Sequence, residues 1–250
     1  MEIVRLDEVD STNSYLERRA PELDDTVLVC ARRQTAGRGQ RGNSWESAPG
    51  QNLTFSLLFH PVDFRPALQF AISEATALAV VDFLARHSIR AKVKWPNDIY
   101  VGDRKICGIL IKHSLMGSQI AYSILGVGIN VNQTLFVSDA PNPVSMKQLT
   151  GESFDPDALL DEIAECLESR LRFIYGEGRQ RLHEEYKECL WRGDGRLHPF
   201  RDSGSGVAFS ARIEDIGADG VMTLACAGGD VRRYRFKEVS FILCTDTPRE

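Results

Sequence analysis

QIAYSILGVGINV, residues 119–131, is the stretch that decides the architecture. It is a long apolar run rich in Ile, Val and Leu, and it reads as a strand. Alternate residues of a strand share a face, so Gly126 and Gly128 leave one face bare of side chains and open to a flat ligand. Asn130, just beyond, carries both a donor and an acceptor suited to the edge of a base. Working outward, residues 105–112 and 98–101 flank a turn at Gly102 and Asp103 and form a hairpin. Residues 89–94, 52–60 (NLTFSLLFH, ended by Pro61) and 26–33 read as further strands. Helices are expected over 11–19 (capped by Ser11 or Thr12), 68–86, 157–175 and 180–190. The 68–86 helix is apolar nearly all round and should be buried. Residues 135–151, with Pro141 and Pro143, read as a loop. The first 190 residues therefore predict an α+β layer with a mixed, largely antiparallel sheet. Residues 191–250 are Gly-rich and alternating, with four or five short strands, and predict a small β-barrel domain.

The composition is that of an ordinary globular chain: 250 residues, 43% hydrophobic and 26% charged. A core of that size needs no disulfide or structural metal. The formal net charge of −5 disfavours a protein that coats nucleic acid. Six cysteines contain no Cys-x-x-Cys pair and no zinc-ligand spacing, so they read as buried thiols in a reducing cytosol. The N-terminus is acidic and lacks the apolar core of a signal peptide. No run of 18 uncharged apolar residues suggests a membrane span, so a cytoplasmic protein is expected. Five scattered histidines form no triad, and Gly-x-Ser-x-Gly is missing, which disfavours nucleophilic hydrolysis.

Four segments carry candidate chemistry. In QTAGRGQRGNSW, residues 34–45, three glycines in six residues follow a strand. Glycine permits a tight turn and close approach to a ligand, and the exposed N–H groups can cradle an anion. Arg38 and Arg41 add charge suited to phosphate or carboxylate, and Trp45 adds a flat face for a nucleobase. The loop has no Gly-Lys-Ser/Thr and no βαβ setting, so it is neither a Walker loop nor a dinucleotide fingerprint. The alternative reading is an arginine–glycine surface loop or an RNA-contacting segment. KWPND, residues 94–98, presents Lys94, Asn97 and Asp98 at a strand end, or is simply a well-ordered turn. DRKICGIL, residues 103–110, places Lys105 at a pocket mouth or on a solvated strand end, with Gly108 allowing close approach. The fourth segment is Gly126–Asn130 itself.

In order and spacing, these segments and the Asp10-Ser11-Thr12-Asn13 run resemble the biotin protein ligases over residues 8–134. The resemblance implies a catalytic domain of the class II aminoacyl-tRNA-synthetase type followed by an SH3-like β-barrel. It implies an ATP-dependent ligase that makes biotinyl-5′-AMP from biotin and MgATP. The biotinyl group then passes to a lysine of a biotin carboxyl carrier domain of acetyl-CoA carboxylase or a related carboxylase. Ser11, Thr12, Asn13 and Gln34 would hold the ureido end of biotin. Gly37, Arg38, Gly39 and Gln40 would cover it, with Lys105 and Gly108 completing the site. Arg38, Arg41, Trp45, Lys94 and Asn130 would bind nucleotide. Asp98 would meet Mg2+, and Lys105 and Arg38 would carry the catalysis.

Two departures from the family pattern stand out. Gln40 stands where many members carry a second loop arginine, with Arg41 next to it. The Ser-Thr-Asn motif begins at residue 11, so a monofunctional enzyme without a DNA-binding domain or DNA partner is expected. A homodimer paired through the sheet is a further implication. The alternatives are a lipoate or octanoate ligase and a non-catalytic small-molecule or RNA-binding module.

Overall fold

The computed structural model describes residues 1–39, 43–137 and 142–243. Its main layer is a seven-stranded sheet in the order β1-β2-β3-β7-β6-β5-β4. The strands are β1 (Glu2–Val9), β2 (Val27–Gln34), β3 (Leu53–Phe59), β4 (Lys92–Lys94), β5 (Asp98–Val101), β6 (Arg104–Met116) and β7 (Gln119–Ile129). Only β1 and β2 run parallel, as the crossover helix α1 (Thr12–Arg19) between them requires. The other neighbours are antiparallel, as expected for the main layer. β1 was not expected from the sequence; its charged, half-exposed edge positions hide the alternation of a strand.

The two faces of the sheet are covered differently. Leu125, Val127 and Ile129 of β7 point into the large core with α2 (Phe70–Arg86) and α4 (Pro156–Leu171). Helix α2 and the short turn before it, Pro66–Arg86, reach a mean hydropathy of 1.5, enough by length and composition to cross a membrane. Here that helix lies against the sheet and α4, with Ile72, Ala75, Val80 and Phe83 fully buried. On the opposite face Ile124 joins a small core with Leu16 and Ala20 near α1. Around Gly126 and Gly128 that face carries no side chain of its own strand, and Asn13 and Trp45 lie over it.

One expected loop contains a helix. Within residues 135–151, α3 (Met146–Thr150) is set by a capping box, Ser145 with Gln148, and ended by Gly151 in the left-handed region. The Ser-x-x-Gln signal of that cap lies just after Pro141 and Pro143, which mark the segment as a loop. After α5 (Gly178–Glu188), strands β8 (His198–Asp202), β9 (Ala208–Ile216), β10 (Met222–Cys226), β11 (Val231–Tyr234) and β12 (Val239–Phe241) form a second antiparallel sheet, in the order β11-β10-β9-β8-β12. It packs against the first unit. Trp191 lies between Tyr100 and Phe241, and its indole N–H donates to the Gly102 carbonyl.

Candidate small-molecule site

The open face of the sheet ends in a cavity of about 450 Å³. Its floor is made by glycines. A Cβ on Gly128 would lie 2.4 Å from the Trp45 indole, and one on Gly108 would lie 2.8 Å from the same ring. A Cβ on Gly126 would lie 2.4 Å from the Asn13 carboxamide. The expected side-chain-free surface therefore exists, and Trp45 and Asn13 rest on it. The buried indole N–H of Trp45 has no acceptor among the described residues. An unmet buried donor is costly, so this floor is suited to a ligand that brings an acceptor.

One end of the cavity is neutral and polar. Thr12 Oγ1 and Ser56 Oγ are 2.7 Å apart, and Ser56 Oγ donates to Asn13 Oδ1 at 2.7 Å. Gln34 Oε1 accepts the Thr12 backbone N–H at 2.9 Å. Ser11 occupies the N-cap position of α1 but makes no capping bond with its side chain, and it lines the cavity instead. The cap therefore falls at Ser11, one of the two positions expected, with its side chain turned to the cavity rather than to the helix.

The other end is cationic. Lys105 Nζ lies 2.6 Å from Asp98 Oδ1 and 6.0 Å from the centre of the Trp45 ring. Lys94 donates to the Tyr100 hydroxyl at 3.1 Å, between that ring and the Phe241 ring of the second sheet. The turn after Lys94 contains a cis Trp95–Pro96 bond. It is gripped from both sides: the Trp95 indole donates to the Gly220 carbonyl, and the Tyr186 hydroxyl donates to the Pro96 carbonyl.

The glycine–arginine loop folds back on itself. Gly39 N–H donates to Asn43 O at 2.7 Å and Trp45 N–H to Gly37 O at 3.0 Å, which brings Arg38 and Gly39 to the cavity wall. Gln40, Arg41 and Gly42 lie outside the described residues.

Asn130 is placed differently from the expectation. It is buried and absent from the cavity wall. Its amide donates to the Val144 carbonyl at 3.1 Å and, at 3.5 Å, to the Lys105 carbonyl. The physical reason is that the returning segment pairs with the start of β6, as Lys105 N–H donates to Asn142 O and Val144 N–H to Lys105 O. Asn130 braces that junction rather than facing a base.

Ser56 and Tyr100 were missed in the sequence. Ser56 carries a signal there, because Thr54 and Ser56 interrupt an otherwise apolar strand on one face. Cys107 points to the core side, and burial pushes its thiol far up, which removes it as a nucleophile.

A mixed sheet with a glycine floor therefore carries a cavity with neutral polar side chains at one end and Lys94 and Lys105 at the other. The chain belongs to the biotin/lipoate A/B protein ligase family, whose model matches residues 6–130. The biotin–[acetyl-CoA-carboxylase] ligase of Paracoccus denitrificans is 35% identical over 162 residues, 62% of this chain and 67% of that protein. The bifunctional ligase/repressor BirA of Bacillus spizizenii is 32% identical over 168 residues, covering 65% of this chain and 50% of that protein. The chain thus spans about half the length of the first of its curated relatives. In structure it is similar to the biotin protein ligase from Aquifex aeolicus in complex with biotin and ATP, with a TM-score of 0.77 and 24% identity over 96% of this chain and 97% of that one, a likeness of fold.

Proposed function

We propose that this chain is a biotin protein ligase. It joins biotin and ATP into biotinyl-5′-AMP, then transfers the biotinyl group to a lysine of a biotin carboxyl carrier domain. The observation that carries this reading is the two-ended cavity: neutral donors and acceptors at Thr12, Asn13, Gln34 and Ser56, cations at Arg38, Lys94 and Lys105, and a bare glycine floor between.

The neutral end suits a ureido ring, which offers N–H donors and a carbonyl acceptor. The dithiolane of lipoate brings no hydrogen-bonding group to this polar end, so its burial there gains nothing in return. At the cationic end the biotin carboxylate must approach the α-phosphate of a polyanion. Arg38 and Lys105 offset that repulsion and stabilise the charge that builds up at the phosphorus. The carboxylate oxygen bonds to the α-phosphorus as the bond to the bridging oxygen breaks, and pyrophosphate leaves. In the second step a neutral lysine amine attacks the acyl carbonyl, its proton is lost, and AMP departs. No side chain of this chain acts as a nucleophile in either step.

Asp98 would hold Mg2+. No group of three or more His, Cys, Asp or Glu side chains forms a metal cage among the described residues. A single carboxylate beside the phosphate end fits an ion that arrives on ATP and keeps most of its water, since Mg2+ there adds positive charge to the phosphates.

Pyrophosphate release from ATP is the test, with biotin and with lipoate as control. Biotin-dependent release supports the proposal, and lipoate-dependent release would shift it to the sister branch. Release with neither acid overturns it.

A further inference from the structure

Two loops meet beside the cavity, and one carboxylate and one carboxamide join them. Gln133, buried in the segment after β7, uses its whole hydrogen-bonding capacity on this junction. Its Nε2 donates to Glu46 Oε1 at 2.9 Å and to the Leu135 carbonyl at 2.9 Å. Its Oε1 accepts from Ala48 N–H at 2.9 Å and from Asn52 Nδ2 at 2.6 Å. Glu46 completes the junction from the other loop by accepting Val137 N–H on both carboxylate oxygens, at 3.0 and 3.1 Å. The same Asn52 accepts Val131 N–H at 2.9 Å, and Asn132 N–H donates to the Gln51 carbonyl.

Both loops lead to the chemistry. Glu46 directly follows Trp45, whose ring covers Gly108 and Gly128. Gln133 lies three residues beyond Asn130, which braces the Lys105 carbonyl against Val144. A change in either loop is thus transmitted to the other through a few short bonds, three of them charge-assisted on the Glu46 carboxylate. We propose that Glu46 and Gln133 form a latch that makes the two loops move as one unit over the cavity. They are positioning residues whose effect is to hold the activated intermediate in place. This rests on the ligase reading for what is held, whereas the mechanical coupling is independent of it.

A swap of the two side chains tests the latch. Gln133→Glu sets two carboxylates against each other and removes the donor to Glu46 and to the Leu135 carbonyl. Adding Glu46→Gln returns a donor–acceptor pair with the direction reversed, and leaves an amide oxygen for Val137 N–H. Two readouts are taken on native protein, Q133E and the E46Q/Q133E double variant. The first is amide hydrogen exchange over 45–52 and 131–137 without substrates. The second is escape of biotinyl-5′-AMP, with kcat and the KM for ATP of its formation. Q133E is expected to speed exchange in both segments together. It should raise escape and KM by about 10-fold or more, with kcat within about 2-fold, the scale of one lost charge-assisted bond. The double variant should recover the part of both losses that comes from the contact between positions 46 and 133, and so lie clearly between Q133E and the native protein.

Faster exchange in only one segment, or a double variant no better than Q133E, overturns the latch. If the native protein makes no biotinyl-5′-AMP, the ligase reading falls and the exchange arm alone decides the latch. Biotinyl-5′-AMP formation with uncoupled exchange keeps the reading and removes the latch.

Discussion

The two faces of β7 are one residue apart in sequence and opposite in purpose. Leu125, Val127 and Ile129 fill a dry core against α2 and α4. Gly126 and Gly128 present nothing, and the face they leave is occupied by side chains from other segments, Asn13 and Trp45. The packed face supplies stability through buried area, and a bare face is where backbone and ligand can approach. The strand can carry both because its period is two. Substitutions one position apart should therefore separate stability from binding.

The largest expected effect is on the open face. Lys105→Ala removes the cation held by Asp98 at the anionic end. Adenylate formation should fall by roughly 10²–10³-fold, the usual cost of removing one preorganised group that meets developing charge. The thermal midpoint should barely move, because the lysine is partly exposed. Pyrophosphate exchange together with a melting curve checks both halves; an active K105A enzyme would place the chemistry elsewhere. On the closed face Leu125→Ala should do the reverse. Leu125 is fully buried, and its truncation should cost about 3 kcal/mol of stability by leaving a cavity. Ligand affinity measured well below the melting range should stay near native. Equal damage to affinity would show that the faces are not separable.

That separation was partly legible in the sequence. The strand at 119–131, its two glycines, the hairpin with Lys105 and the core helix after residue 68 all follow from periodicity and punctuation, and they appear where expected. So does the convergence of Thr12, Gln34, Arg38, Lys94 and Lys105 on one cavity. The misses share a cause: they depend on what lies across space. Asn130 looked free to read a base because no local signal showed that Val144 would return to it. Ser56 carries no role in the sequence alone, because its partners Thr12 and Asn13 lie more than 40 residues away. β1 is an edge strand whose pattern is blurred by half-exposed charges, and only its parallel register with β2 identifies it.

A smaller change sharpens the comparison. Gly128→Ala adds one methyl to the floor, 2.4 Å from the Trp45 ring, so the ring has to swing aside. Stability should hold within about 1 kcal/mol if the ring gives way, since alanine suits a strand better than glycine. Ligand affinity should fall about 10-fold as the floor closes. Calorimetric titration with biotin decides it, and native affinity would mean that the floor is not the binding surface.

The smallest effect lies on the closed side, where α2 and α5 meet the second sheet. His183 Nδ1 is 2.6 Å from Glu74 Oε1, and Glu74 is almost wholly buried. The Glu74 hydrogen bond holds the His183 pKa above its ordinary 6.5, despite opposing burial and the nearby Lys187. Burial pushes the Glu74 carboxyl up, so the pair keeps its proton to higher pH than the separate side chains would. A group whose folded pKa is raised stabilises the fold fully below its unfolded value, and that stability is lost as pH rises through the folded one. The thermal midpoint should therefore decline as pH climbs above about 6.5, and His183→Gln should flatten the decline. Because this pair sits behind the sheet from the glycine floor, biotin affinity should not follow the same profile. A shared pH profile would mean that the second sheet and the cavity move together, and the two faces of β7 would then be one device.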